Sequence, residues 1–351
     1  MGANPPITVN TAFTNNSFDF AGARPASRGF DRPAVGVISG STLFAVDPHA
    51  KTPTTYQWNA AVEQLLPGSV LLTVAYVGVE GVHQNGEGAA VDINQPIPGS
   101  GPIAQRRPYP LYQTINYNES AFTSSYNGLQ ITGERRFSHG LSFLLSYTYS
   151  HSLDYPTGIM DSYNFRLDRG NSDWDVPNRF VASWTYVLPF SPKGRIRYVA
   201  AGWQMNGILS LYSGLPFGVD SGSNTLNNGA STRANRICSG NLAHPTIQEW
   251  YDLSCFTAPG FQQWGNGGRN ILRGPKTRQL DFSLFKRFPV SADETKAFEF
   301  RAESFNLFNR PQFNLPDTTF DDPGGTITAA GAPLTYQRTS REIQLGLKFY
   351  W

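Results

Sequence analysis

The sequence predicts an all-β fold, a transmembrane antiparallel β-barrel with long extracellular loops. Three observations predict it. Apolar and polar residues alternate at period two through roughly nine segments, the connections between those segments are short and long in turn, and aromatic residues gather beside the short ones.

The first segment, Tyr56–Glu63, carries its apolar and aromatic side chains at even positions, and Leu72, Val74 and Tyr76 form the apolar face of the next. From Asn127 to Phe137, Leu129 and Ile131 share one face while Gln130, Thr132, Glu134 and Arg136 share the other. Leu141, Phe143, Leu145, Tyr147 and Tyr149 then alternate with Ser142, Ser146, Thr148 and Ser150. Phe180, Ala182, Trp184, Tyr186 and Leu188 alternate with Ser183 and Thr185; Trp203, Met205, Leu209 and Leu211 do so with Gln204, Asn206 and Ser210. Leu280, Phe282 and Leu284 follow, then Phe298 and Phe300 against Glu299, Arg301 and Glu303. The last run sets Ile343, Leu345, Leu347, Phe349 and Trp351 on one face. These runs have the length a tilted membrane strand needs.

Alternation alone fits a soluble sheet with one wet face equally well. The charges Glu134, Arg136, Glu299, Arg301 and Glu303 would each need partners in a dry core, whereas a water-filled lumen accommodates them, so they are assigned to the lumen face. The connections separate the two readings. Pro67-Gly68, Ser138-His139-Gly140, Pro189 to Gly194 and Pro289 to Asp293 are tight, and they interleave with long stretches at 79–122, 151–177, 214–276 and 310–337. Outer-membrane barrels have this asymmetry, and a sandwich has no reason to place every long loop at one end. Phe137, Phe190, Phe288 and Trp351 all fall at the short-turn end, as one ring of an interfacial aromatic girdle.

Composition excludes other classes. Lys+Arg 28 against Asp+Glu 26 gives a net charge of +2, which supplies no basic stripe for nucleic acid. The aromatic content of 13% is too high for disorder, and no apolar run approaches a membrane helix. Five His and two Cys at scattered positions form no zinc-finger spacing, so neither a metal nor a cofactor is expected. Met1-Gly2-Ala3-Asn4-Pro5-Pro6 has no basic or apolar region of a secretory signal, and Pro6 rules out a myristoylation motif.

Gln344, Gly346, Phe349 and Trp351 fill the defining places of the C-terminal assembly signal of outer-membrane barrels. An unpaired terminal strand is an edge able to pair with the barrel assembly machinery. At this point the chain resembles the Oar-like TonB-dependent receptors. The segments that carry the resemblance are Tyr76-Val77-Gly78, Arg107-Pro108-Tyr109-Pro110, Ser125-Tyr126-Asn127-Gly128-Leu129-Gln130 and Tyr147-Thr148-Tyr149-Ser150. Asp173-Trp174-Asp175 to Arg179-Phe180, Gly265-Asn266-Gly267-Gly268-Arg269-Asn270 and Arg301-Ala302-Glu303-Ser304-Phe305-Asn306-Leu307-Phe308-Asn309 complete the set, in order. The resemblance implies a barrel of about 22 strands, filled by a plug and driven by TonB, that takes a small ligand (siderophore, oligosaccharide or peptide) across the outer membrane. About nine or ten such strands are expected here, so the chain resembles a partial barrel, the C-terminal portion of such a receptor without its plug and TonB box. Residues 1–50 read as an outer-loop or irregular segment and 51–351 as the barrel region. A gene fragment is the expected explanation.

No catalytic constellation emerges. Glu134, Glu299 and Glu303 are the only carboxylates that suggest a glycosidase, and they lie among arginines that would neutralise them. Asp168, Asp173 and Asp175, with Arg166, Arg169 and Arg179, are expected to close a loop by salt bridges at the barrel rim; calcium-loop spacing is missing. Trp264 to Pro275 reads as a tight turn closing the longest loop, with Arg269 and Arg273 placed to meet lipopolysaccharide phosphates beside the membrane lipid. Cys238 and Cys255 share that loop, where an oxidising exterior favours a disulfide. Two other functions compete: a stand-alone small outer-membrane barrel acting as passive pore or adhesin, and a soluble β-rich carbohydrate-active protein.

Overall fold

The computed structural model describes residues 7–9, 41–85, 91–156, 158–190, 192–223, 225–230, 232–290, 296–321, 324–331 and 339–351. Nine strands form one antiparallel meander in which each pairs with its sequence neighbours. They are β1 (Thr54–Leu66), β2 (Val70–Gln84), β3 (Phe122–Ser138), β4 (Leu141–Asp154), β5 (Asn178–Val187), β6 (Trp203–Tyr212), β7 (Thr277–Pro289), β8 (Ala297–Phe305) and β9 (Glu342–Tyr350). Sequential hairpins are the cheapest way to assemble such a sheet, since each pairing closes only one connection. Among the described residues β1 and β9 remain the sheet's two edges, so the curved wall is open.

Register proves the facing pattern, because residues directly opposite one another share a face. One rung runs Val62, Val74, Ile131, Tyr147, Phe180, Leu211 across β1 to β6. The adjacent rung runs Glu63, Thr73, Thr132, Ser146, Val181, Ser210 and Gln279. The apolar face is bare: Val62 is 71% exposed and Leu347 70%. An apolar surface of that extent is stable only against another apolar phase. Two of its tryptophan rings lie across glycines of neighbouring strands. Trp58 covers Gly78 and Trp184 covers Gly207, where an added Cβ would fall 2.2 and 2.1 Å from the indole.

The tight connections follow turn chemistry. His139 and Gly140 have φ of 52° and 79°, the two left-handed positions of a two-residue hairpin turn. The stretch from Pro189 differs from its expected form. Rather than a tight turn ending at Gly194, it carries a 3-10 turn at Gly194–Ile196 and a helical turn at Arg197–Ala200 before β6 begins. Trp203 holds that turn by donating from Nε1 to the Val199 carbonyl at 2.8 Å. The expected turn from Pro289 to Asp293 lies mostly outside the described residues, as does much of residues 1–50. Of that N-terminal region, Ser41–Val46 pairs in parallel with Tyr112–Asn118 and antiparallel with Ile7–Val9.

The conventional core sits in the long connections. Phe217, Val219, Ala234, Tyr251, Cys255, Phe256 and Leu272 form one buried cluster, to which Trp250, Leu315 and Phe320 add. Tyr251 stands edge-on to Phe256 at 5.6 Å, a favourable quadrupole arrangement.

Candidate functional site

The polar face of β3 to β8 carries an open trough of about 690 Å³, where Glu134, Arg136, Asn206, Asp281 and Glu303 stand among Leu144, Ile208 and Phe305. β3 delivers Glu134 opposite Leu71 and Leu144, and Arg136 follows at an irregularity in the strand, its Nε 3.9 Å from Glu134. Glu303 stands opposite Ser283 and Gln344. Glu299 and Arg301 sit nearer the short-turn end. Arg301 Nε donates to Glu299 Oε1 at 2.6 Å, its guanidinium lies 4.4 Å over the Phe285 ring, and the Tyr350 hydroxyl donates to the same carboxylate at 3.3 Å. The trough thus unites Glu134, Arg136 and Glu303 and leaves the Glu299–Arg301 pair outside its lining. Asp281 belongs to the trough and was not singled out in the sequence, although its place between Leu280 and Phe282 marks it as polar-facing; it accepts from Asn306 N at 2.8 Å.

Above the sheet, the loops are joined by ion pairs, of which Arg233–Asp168 is buried on both sides and the others on one. Arg233 spends every donor arm: Nε to the Gly267 carbonyl, one terminal nitrogen to Asp168 and the other to the Leu167 carbonyl, each at 2.7 Å. The second Asp168 oxygen accepts from Met160 N at 2.8 Å. Asp173 accepts from Arg269 at 2.9 Å and from Asn270 at 2.7 Å, and Arg269 also grips Asp154. Arg273 holds Asp175, whose other oxygen accepts from Ser152 N at 2.7 Å. The expected partners Arg166, Arg169 and Arg179 are therefore replaced by Arg233, Arg269 and Arg273 from the longest loop. The reason is reach: arginines on the same loop as the carboxylates cannot tie it to another loop, and Arg179, on β5, instead lies 4.9 Å over the Tyr212 ring. The same geometry corrects the role expected for Arg269 and Arg273, since both guanidiniums are turned inward onto carboxylates and neither is offered to lipopolysaccharide phosphate.

The Gly-rich stretch packs as a turn against β-like backbone. An added Cβ at Gly265 would fall 1.7 Å from the Arg233 carbonyl oxygen, so only glycine fits. Cys238 and Cys255 are bonded to each other, Cα atoms 4.9 Å apart, and Ile237 N donates to the Cys255 carbonyl at 2.9 Å. At the sheet's far edge, β9 places Gln344 and Gly346 on the polar face opposite Glu303 and Arg301. Phe349 lies on the apolar face 4.8 Å from Phe298, and Trp351 stacks on Phe349 at 6.2 Å. Lys286, at the short-turn end of β7, bonds the Ala201 carbonyl and sits 4.9 Å over the Phe288 ring.

An apolar outer face, a polar concave face and loops gathered at one end are the marks of a membrane-spanning wall, and the family comparison agrees. The model of the outer membrane beta barrel domain matches residues 1–344. The chain belongs to that family. It is an outer-membrane protein whose strands cross the bilayer. No curated protein matches this barrel's sequence. Among solved structures it is similar to the outer membrane transporter YddB from Escherichia coli, at 10% identity and a TM-score of 0.47, covering 90% of this chain and 35% of that one. It is also similar to the ferripyoverdine receptor of the outer membrane of Pseudomonas aeruginosa, at 10% identity and a TM-score of 0.40, covering 84% and 27%. The barrel chain therefore spans about a third or less of the solved chains it resembles.

Proposed function

We propose that this barrel region binds a small ligand and takes it up across the outer membrane, as the C-terminal portion of an Oar-like TonB-dependent receptor. The observation that carries the reading is the direction of the two edges. β1 and β9 both run from the loop end to the short-turn end, so pairing them with each other would be parallel in an otherwise antiparallel wall. Each edge needs a strand running the other way, which favours a larger barrel. The trough, with the charges of Glu134, Arg136 and Glu303 on its walls, offers a seat for a plug that TonB would engage. Paired carboxylates and arginines suit that electrostatic role better than acid–base catalysis, so no enzymatic step is assigned. Lipid and lipopolysaccharide surround the apolar face.

The test is an immunoblot of the native outer-membrane fraction with an antibody against residues 214–276. A band well above 38.7 kDa is the expected result. A band at 38.7 kDa with steady conductance in planar bilayers would replace the proposal by a stand-alone passive barrel. A band confined to the aqueous fraction would replace it by a soluble protein. Gln344, Gly346, Phe349 and Trp351 are proposed as the assembly signal read by the barrel assembly machinery. Deleting Trp351 should lower the yield of heat-modifiable, assembled barrel; unchanged yield refutes that role.

A further inference from the structure

Three exposed tryptophans stand out among the described residues, and the bilayer accounts for two of them. Trp58 and Trp351 lie on the apolar face of the sheet. Trp174 does not: it sits in the loop between β4 and β5, at the aqueous end, and is 72% exposed. A wide, flat aromatic face open to water at the loop end is a surface suited to stacking.

The chain on both sides of Trp174 is fixed. Asp173 is held by Arg269 and Asn270, Asp175 by Arg273 and by Ser152 N, and Asp175 N donates to the Ser172 carbonyl at 3.0 Å. The indole is thus presented on a rigid mount, which removes much of the ordering cost of binding. Beside it lies a groove of about 540 Å³ lined by Trp174, Tyr155, Phe122, Asp154, Asp173 and Arg269, with Thr123 and Ser124 at the start of β3. Its aromatic wall is braced from behind: the Phe122 ring is 5.0 Å from Tyr155 and 5.5 Å from Phe165. Arg269 is only 7% exposed and is spent on the two carboxylates.

These features select a ligand chemistry. With one guanidinium against two carboxylates, the groove repels anions, so a phosphate or an anionic chelate finds no free cation. Each carboxylate oxygen has lone pairs beyond those Arg269 takes, and these accept hydroxyl hydrogens. A flat aromatic face beside hydroxyl acceptors fits a ring with an apolar C–H face and a polar edge. We propose that this groove binds a neutral oligosaccharide, one sugar ring stacked on Trp174 and its hydroxyls donating to Asp154 and Asp173. This names the substrate class for the receptor reading above and rests on it for transport, though not for binding.

The experiment uses the full chain in a non-glycosidic detergent, titrated with maltohexaose, cellohexaose, xylohexaose, laminarihexaose and chitohexaose while calorimetry follows binding. At least one hexasaccharide should bind saturably. Trp174→Ala should weaken it about tenfold or more, Trp174→Phe should restore part of the affinity, and Trp58→Phe on the lipid face should leave it unchanged. Heat-modifiable mobility confirms that each variant is assembled. No binding of any hexasaccharide, or equal binding by Trp174→Ala, overturns the proposal while leaving uptake of another ligand class intact. Trp174-dependent binding by a chain that blots as a stand-alone 38.7 kDa barrel upholds the groove and removes the uptake reading.

Discussion

On the sheet, Val62, Leu345 and Leu347 lie open while Ser146, Asn206 and Glu303 line the concave side. In the loops above it, Phe217, Tyr251 and Leu272 are buried and the charges are tied in pairs. One chain therefore follows two opposite burial rules, and the solvent decides which. Where hydrocarbon surrounds the protein, apolar side chains gain nothing from each other that lipid does not already supply, and backbone pairing holds the wall together. Where water surrounds it, apolar burial holds the fold and any enclosed charge must find a partner. The contrast predicts that substitutions injure one region and spare the other.

The largest effect should come from the buried loop pair. Asp168→Ala strands Arg233 in a dry site and should cost the loop unit about 3–5 kcal/mol. Replacing both partners by apolar residues of similar volume should recover much of it. Limited proteolysis checks this: loop cleavage should accelerate in the single variant while the strand region keeps its heat-modifiable mobility. If the sheet collapses along with the loops, the two regions are one cooperative unit and the contrast fails.

On the sheet, Leu145→Arg or Leu209→Arg should cost about 2–4 kcal/mol near the bilayer midplane, and Ser146→Arg, one residue away on the other face, should cost less. Urea unfolding in lipid vesicles reads the difference. Equal losses at Leu145 and Ser146 would mean that the concave face is not wet.

The disulfide acts on the loop side alone. A cross-link closing a loop of this size contributes roughly 3 kcal/mol in the chain-entropy account, less where the reduced loop keeps structure. Reduction should therefore loosen the cluster around Cys255 and Phe256 and leave the strands untouched, as amide exchange resolved by region would show. Alkylation without prior reduction should add no mass; a shift would mean free thiols.

The two regions also differ in how well the sequence foretells them. All nine strands were legible because a membrane wall repeats one rule at period two, and Leu129, Tyr147 and Phe180 carry it locally. The same alternation reaches Asp281, which needed only to be read as the polar residue between two apolar ones. The loop chemistry was not legible from local pattern. Asp168 meets Arg233, and Asp154 meets Arg269, across long stretches of chain. Nothing nearby distinguishes those arginines from Arg166 or Arg169. Pro189 and Gly194 signal a turn correctly, but its length is set by Trp203 folding back onto Val199. Local rules govern the strands; long-range pairing governs the loops.

The smallest effect sharpens the same contrast through pH. Burial in the loop side pushes the Asp92 carboxyl above its ordinary range, outweighing the amides of Ile115 and Asn94 that donate to it at 2.9 Å and the Arg107 guanidinium 3.7 Å away. A raised native value means that the folded loop holds its proton more tightly than the unfolded chain. Stability from this group is therefore complete below the unfolded carboxylate value of about 4. It declines as pH rises through the native value and levels off above it. Protection factors for residues 91–118 should fall modestly over that window, and Asp92→Asn should flatten the profile while Glu303→Gln, in the wet trough, should not. A wild-type profile that is already flat, or one that rises with pH, would show that the amide and Arg107 contacts dominate and that this part of the loop side is as hydrated as the trough.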